Sequence, residues 1–349
     1  MAEPVKFGIV GTGVGANFCA NGLSMIRDSG VAELVAVTSR REERAKEFAS
    51  KWKLKYWFTD HNEMIEKAPI DAVIVSVPHY LHHPISIDAM KAGKHVLVDK
   101  PMAISLKEAD EMIEESKKRD VKLGVILQSR FDPTFRKVKG AVDEGRFGQM
   151  ILGEAIVEWF RTQEYYDSSS WRGRWATEGG GALINQAIHT IDLLIWIMGS
   201  PKYLWAQIDT VAHKIEVEDI AVAAIRFENG ALGVIQGSTA TYPGLPTRLE
   251  IHGTRGTAII EGEVLKRWSV MGEEEVIAEK SKEGLKSWAR PELVPATNHA
   301  SLIRDFAEAV RDDREPFVNG YEGRRSLEVI MAIYKSGRSR EVVEFPLAD

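Results

Sequence analysis

The chain has 349 residues, 44% of them hydrophobic and 28% charged, with a formal net charge of -6; that length favours two domains, each large enough for its own core. The negative balance offers no attraction to nucleic acid or to an anionic membrane surface, and no apolar run reaches the roughly 18 residues that a bilayer span needs. A single cysteine, Cys19, excludes an internal disulfide and a thiolate zinc site, and Met1-Ala2-Glu3-Pro4 leads directly into a strand-like run with no room for a signal peptide, so a cytoplasmic protein is expected.

Val5-Lys6-Phe7-Gly8-Ile9-Val10 predicts a buried strand ending in Gly11-Thr12-Gly13-Val14-Gly15-Ala16, and a helical pattern follows through Leu23 and Ile26. Strand, glycine turn and helix form the setting in which G-x-G-x-x-A reads as a dinucleotide fingerprint. Gly11 allows the tight turn, Gly13 lets the backbone approach a pyrophosphate, and Ala16 lets helix and strand pack closely. The N–H groups of the helix start then face the phosphates. A plain strand-turn-helix without a ligand would carry the same pattern. The second strand, Leu34 to Thr38, runs into Ser39-Arg40-Arg41, where a fold that prefers NAD usually carries an acid. A hydroxyl and two guanidiniums suit a 2′-phosphate better than a diol, which favours NADP over NAD. Otherwise the two arginines simply open a solvated helix with Glu42, Glu43 and Arg44.

Asp71 to Val77 and Lys94 to Val98 are further apolar strands, His82 to Ala92 and Ser105 to Arg119 are helices, and Lys122 to Leu127 is the last strand. Ser105 and Glu108 form a capping box. Apolar strands without alternation, separated by helices, predict a parallel sheet covered on both faces. Ligands of such sheets bind beyond the carboxyl ends of the strands, where Thr12, Ser39, Pro78, His79, Asp99, Lys100 and Gln128 fall. Lys100 precedes a proline that restricts the local backbone. Its ammonium, beside a nicotinamide, would stabilise a developing alkoxide or carry its proton; the alternative is a surface lysine at the start of a loop. His79, His82 and His83 cluster only in sequence and have no accompanying acids, so no metal is expected.

After Gln128 the texture changes. Phe131-Asp132-Pro133 opens a helix ending near Gly145, and alternating runs follow: Ile151 to Phe160, Tyr203 to Val211, Ile220 to Phe227, Leu232 to Thr239, Arg248 to His252 and Thr257 to Ile260. They predict an antiparallel sheet with one face covered, and the other face predicts a homodimer or homotetramer. Two late helices, His299 to Arg311 and Tyr321 to Gly337, precede a last strand, Glu341 to Phe345. The expected architecture is α/β over 1–128 followed by α+β over 129–349.

Trp159 to Trp175 concentrates Trp159, Arg161, Tyr165, Tyr166, Trp171, Arg172, Arg174 and Trp175. Aromatic faces stack on sugar rings and guanidiniums hold phosphate or carboxylate; an ordinary interface is enriched in the same types. Trp171 and Arg172 lie just before the run Gly179-Gly180-Gly181, whose lack of side chains lets another backbone or a ligand come close. The apolar stretch that follows has the length and period of a helix. Asn185, His189 and Asp192, spaced i, i+4, i+7, share one face, while Ile184, Ile188, Ile191 and Ile195 take the face beside it. A polar triplet with an imidazole on an apolar helix is either partnered in the core or functional.

The motifs Gly11 to Ala16, Pro78-His79-Tyr80-Leu81-His82, Ala92-Gly93-Lys94-His95-Val96 running into Asp99-Lys100-Pro101, and Gly179 to Asp192 carry a resemblance from end to end. The chain resembles the glucose–fructose oxidoreductase / inositol dehydrogenase / rhizopine catabolism (Gfo/Idh/MocA) family. Asp99 departs from the family's usual glutamate, His79 from a common asparagine, and Asn185 from the aspartate of many members. The resemblance implies a Rossmann domain, then a domain with a large open sheet, and reversible oxidation of a sugar or polyol hydroxyl with NADP or NAD. It implies Lys100 and His189 as the central pair, without a metal. Asn185 cannot take a proton, so its implied role is orientation; His189 becomes the general acid/base and Lys100 anchors the substrate oxygen. Asp192 would orient the imidazole, or serve as a cap or ion-pair partner.

The residues expected to face the cofactor are Gly11, Thr12, Gly13, Val14, Ser39, Arg40, Arg41, Pro78, His79, His82, Asp99, Lys100, Gln128, Trp171 and Arg172. Those expected to face substrate are Lys100, Arg130, Arg161, Trp175, Asn185 and His189. Two other readings stay open: a glycosidase that cycles a bound NAD without net consumption, and a non-catalytic nucleotide sensor.

Overall fold

A computed structural model describes residues 3–277 and 296–347. In chain order the elements are β1 (Val5–Val10), α1 (Val14–Ile26), β2 (Ala32–Thr38), α2 (Glu42–Trp52), β3 (Tyr56–Phe58), α3 (His61–Lys67), β4 (Ala72–Val75), α4 (His82–Lys91), β5 (His95–Val98), α5 (Leu106–Arg119) and β6 (Leu123–Val125). Then come α6 (Pro133–Asp143), β7 (Met150–Glu158), α7 (Gln163–Asp167), α8 (Trp175–Glu178), a π-helical turn (Ala182–Ala187), α9 (Ile188–Met198), β8 (Pro201–Asp209), β9 (Ile220–Phe227) and β10 (Leu232–Ser238). The last are β11 (Arg248–Gly253), β12 (Gly256–Glu261), β13 (Val264–Val270), β14 (Val276–Ile277), α10 (Thr297–Arg311), α11 (Gly320–Ser339) and β15 (Val343–Glu344).

The chain divides into two units. One runs to Phe131 and takes back the segment that ends at Arg324; the other starts at Asp132 and includes the residues from Arg325 onward. Two differences from the expected division at 128 follow. Gln128–Phe131 is a 3-10 turn that stays with the first unit. Helix α10, expected in the second domain, packs in the first, where Phe18 of α1 stacks on His299 with ring centroids 5.1 Å apart.

The first unit holds a six-stranded sheet in the order β3-β2-β1-β4-β5-β6, parallel throughout. Phe7, Ile9, Val73, Ile74, Val96 and Leu97 are all buried, which is why these strands do not alternate: both faces are covered. The strand order reverses at β1 and β4, the place where open α/β sheets leave a crevice at their carboxyl ends. The predicted Ser105 cap is present, with Ser105 Oγ accepting from the Glu108 N–H at 3.2 Å; the returning bond of the box is shifted by one residue, Glu108 Oε2 accepting from the Ile104 N–H at 3.1 Å. The short edge strand β3 carries no alternation long enough to read from sequence.

The second unit holds a nine-stranded sheet in the order β14-β13-β12-β11-β7-β10-β9-β8-β15. It is mainly antiparallel, as predicted, but β7 and β10 at its centre pair in parallel. Alternation reports which face a residue takes and not which way its neighbour runs, so the parallel pair was not readable. Ala155, Val157, Ala223, Ile225, Leu249 and Ile251 are buried on one face, and α9 packs on β7 and β11. Tyr203, Trp205, Val222 and Leu232 remain exposed. The stretch Trp175–Met198 does have the length and hydropathy of a membrane span, at a mean hydropathy of 1.3, contrary to the sequence reading; 83% of that window is buried inside the protein, as for a core helix.

Candidate active site

In the first unit the two leading glycines of the turn stand in different surroundings. Gly11 has φ +116, and a Cβ on it would lie 1.9 Å from the Ser76 carbonyl oxygen. The protein's own backbone dictates that glycine. Gly13 is the N-cap of α1 at φ -76, an ordinary conformation for any residue, and a Cβ there would meet nothing within 4 Å. No side chain among the described residues caps α1. The start of a 13-residue helix therefore presents its backbone donors beside open space, with Gly13 and Val14 exposed. That arrangement fits the pyrophosphate of a dinucleotide. Asn17 braces the turn by donating to the Gly13 carbonyl at 2.8 Å, and it accepts from Lys51 Nζ at 2.7 Å.

Thr12, Ser39, Pro78, Lys100 and Gln128 are half-buried in or near the strand-end turns. Ser39 Oγ accepts from the Arg41 N–H at 3.4 Å, and Arg40 and Arg41 are exposed ahead of α2. Asp99 spends its oxygens on the protein: Oδ2 accepts from Ser76 Oγ and Oδ1 from the Lys100 N–H, both at 2.8 Å. The peptide from Lys100 to Pro101 is cis.

Three of the expected site residues, His79, His82 and Arg130, are buried. His82 is 1% exposed, with Nδ1 2.6 Å from the Pro101 carbonyl and Nε2 2.8 Å from the Val77 carbonyl. Its ring lies between these two backbone carbonyls, and burial holds its pKa below the ordinary histidine range. His79 is buried beside it, with ring centroids 5.7 Å apart. Arg130, expected at the substrate, is 2% exposed, and its Nη1 donates to Glu322 Oε2 at 2.5 Å; a desolvated guanidinium needs such a partner. His83 pairs with Glu111 at 2.9 Å. Among the described residues no group of three or more His, Cys, Asp or Glu side chains could hold a metal.

In the second unit the glycine run admits close approach of other parts of the protein. A Cβ on Gly181 would fall 1.9 Å from the Glu218 carbonyl oxygen. The Glu218 carboxylate accepts from the Gly181 N–H at 2.8 Å, the Leu183 N–H at 2.9 Å and the Tyr334 hydroxyl at 2.9 Å. It thereby satisfies donors that a helix start leaves unpaired. Burial pushes this carboxyl up to about 7.

The first turn, Ala182–Ala187, is wound as a π-helix before α9 begins, a feature frequent at functional sites. From Gly181 to Ile195 every residue is buried except two, Asn185 and His189, which are half-buried. The i, i+4 spacing places both on one face. Asn185 Nδ2 donates to Glu178 Oε1 at 2.6 Å. Asp192 is 1% exposed and accepts from Ser326 Oγ at 2.5 Å.

The aromatic and basic segment forms a ladder. The Arg161 guanidinium lies 5.0 Å from the Trp159 ring centroid and 5.3 Å from that of Tyr165. Arg172 lies 4.5 Å from the Tyr165 centroid and 5.2 Å from that of Trp171. The Tyr165 hydroxyl accepts from Gln186 Nε2 at 3.1 Å, which ties the ladder to the π-helical turn. Trp175 instead donates its indole N–H to the Glu216 carbonyl at 2.8 Å, and Arg338 stacks on its ring at 4.1 Å.

Sequence reasoning missed Glu178 and Glu218. Glu178 immediately precedes the glycines, so a search for acids flanking the motif would have found it. Glu218 comes from the loop before β9 and carries no local mark.

Residues 5–127 match the family described as oxidoreductases with an NAD-binding Rossmann fold, and residues 135–259 match the Gfo/Idh/MocA C-terminal domain. The WlbA dehydrogenase of Bordetella pertussis, solved with NADH and UDP-GlcNAcA, is 30% identical over 99% of this chain and 100% of its own, with a TM-score of 0.88. The myo-inositol 2-dehydrogenase of Thermotoga maritima is 29% identical over 97% of this chain and 98% of its own length. The 1,5-anhydro-D-fructose reductase of Ensifer adhaerens is 26% identical over 92% and 93%. With these matches along both units, the chain belongs to the Gfo/Idh/MocA family of NAD(P)-dependent oxidoreductases.

Proposed function

We propose that the protein moves hydride between a nicotinamide cofactor and the hydroxyl-bearing carbon of a sugar, polyol or sugar derivative, with Lys100 and His189 serving the oxygen. One observation carries the reading: Asn185 and His189 are the two half-buried positions in an otherwise buried stretch. The nicotinamide supplies the hydride acceptor or donor. His189 takes up or returns the hydroxyl proton, a task suited to imidazole at neutral pH. The Lys100 ammonium stabilises negative charge on the same oxygen, and Asn185 orients the substrate. The Arg161–Tyr165–Arg172 ladder favours a sugar that bears an anionic group, since guanidiniums pair with carboxylate or phosphate. The relatives named above act on polyhydroxylated substrates or were solved with one.

The test is nicotinamide absorbance with NADP⁺ and NAD⁺ in parallel against aldoses, inositols, anhydrosugars and nucleotide sugars. Steady reduction with one of them supports the reading. Glycoside cleavage with no net change in absorbance overturns it. Ser39, Arg40 and Arg41 support NADP as the preferred cofactor. Arg40→Ala with Arg41→Ala is expected to lower kcat/KM for NADP about tenfold or more, one charged hydrogen bond's worth, and to leave NAD nearly unchanged. Equal losses with both cofactors would refute the preference.

The exposed face carrying Tyr203, Trp205, Val222 and Leu232 supports a homodimer or homotetramer built through the second sheet. Trp205→Glu is expected to shift the sedimentation coefficient to that of a monomer. A monomeric parent protein would dispose of this idea. The lone Cys19 is buried, in keeping with a reducing cytoplasm as the proposed compartment.

A further inference from the structure

We infer that Glu178 is a positioning residue that decides which end of the Asn185 amide is offered to the substrate; the inference rests on the proposed role of the Asn185–His189 face. Glu178 closes α8 and is 1% exposed. Its Oε2 accepts from the Gly173 N–H at 2.5 Å and its Oε1 accepts from Asn185 Nδ2 at 2.6 Å. Both Glu178 oxygens accept, one from the Gly173 N–H and one from Asn185 Nδ2, so the side of the amide that meets the acid is the NH2. The amide is planar, and Oδ1 is therefore turned away from Glu178. A substrate hydroxyl that donates its proton meets a carbonyl acceptor there, polarised by the carboxylate one hydrogen bond behind it.

The pair works only as an acid and an amide. An aspartate at 185 would bring two carboxylates to hydrogen-bond distance, and such a pair retains a proton. A glutamine at 178 has one acceptor and one donor end. The Gly173 N–H claims the acceptor, which leaves the glutamine NH2 facing Asn185. The Asn185 amide must then reverse, presenting NH2 where it had presented oxygen. Glu178→Gln is isosteric and inverts the polarity of the neighbouring residue. Combining it with Asn185→Asp restores the original arrangement of donors and acceptors: the introduced carboxylate accepts from the glutamine and again presents an oxygen.

The experiment is a cycle of E178Q, N185D and E178Q/N185D, assayed with the best substrate of the panel, with thermal melting and cofactor titration run on each. E178Q is expected to lower kcat about tenfold or more, on the scale of a misdirected hydrogen bond at a developing charge, with cofactor affinity unchanged. N185D is expected to lower kcat and to move the pH profile upward as the carboxylate pair titrates. The double variant is expected to recover most of the parent kcat and its pH profile. Losses that simply multiply in the double variant, or an E178Q enzyme with parental kcat, would overturn the inference. Should E178Q melt far below the parent, N185S supplies the same information: it removes the amide, leaves Glu178 and its Gly173 contact in place, and should reproduce the loss in kcat without the upward pH shift of N185D; parental kcat in N185S overturns the inference. Failure of the underlying reading looks different, because His189→Ala would then turn over normally whatever residue stands at 178.

Discussion

Replacing His189 with alanine is expected to reduce turnover about a thousandfold, within the range that a positioned acid/base contributes, while the cofactor binds as before. His189 lies on α9 and the glycine turn precedes α1, and the substitution removes no backbone N–H, so every donor proposed for the pyrophosphate is kept. The loss should fall on kcat, the signature of an interaction made in the transition state. Lys100→Ala should lose a comparable factor through the missing charge on the oxygen. The two together should cost less than the product of the single losses, because groups acting on one oxygen are not additive. Steady-state turnover and a cofactor fluorescence titration decide the matter, and near-normal turnover in both single variants would sink the assignment.

The second large effect separates two glycines of one motif. Gly13→Val is expected to fold and melt close to the parent, since its backbone is ordinary and a Cβ there meets nothing within 4 Å; losing a good N-cap costs only about 1 kcal/mol. The same side chain would stand where the pyrophosphate must approach the helix start, so cofactor affinity should weaken on the order of a hundredfold, roughly 3 kcal/mol. Gly11→Ala should do the reverse in cause. Its φ of +116 is strained for alanine, and its Cβ would lie 1.9 Å from the Ser76 oxygen. Strain alone costs roughly 1–3 kcal/mol, and the ends of β1 and β4 would have to part as well. The melting temperature should drop sharply, with the cofactor lost because the turn is lost. Parental cofactor binding by Gly13→Val would refute the phosphate role of the turn.

Much of this molecule was readable from local pattern. The order of strand, glycine turn and helix, the non-alternating strands of a sheet covered on both sides, and the cap at Ser105 all rest on periods and residue types within ten or twenty positions. So does the shared face of Asn185 and His189, because i, i+4 geometry survives even where the first turn widens to a π-helix. The aromatic and basic density from Trp159 to Trp175 was visible too, though not its ladder order.

Local pattern therefore sufficed for the class of the first unit, the family, and the polar positions of one apolar helix. The partners came from the tertiary structure. It gave Arg130 to Glu322, 192 residues away, as a buried ion pair. It set His82 between two backbone carbonyls, brought Glu218 and Tyr334 to the start of the π-helical turn, packed α10 on α1, and made β7 and β10 parallel. Side-chain chemistry is written in each residue, but whether a charge stays solvated, pairs in the core or faces an opening depends on which distant segment the topology brings to it, and no local period encodes that.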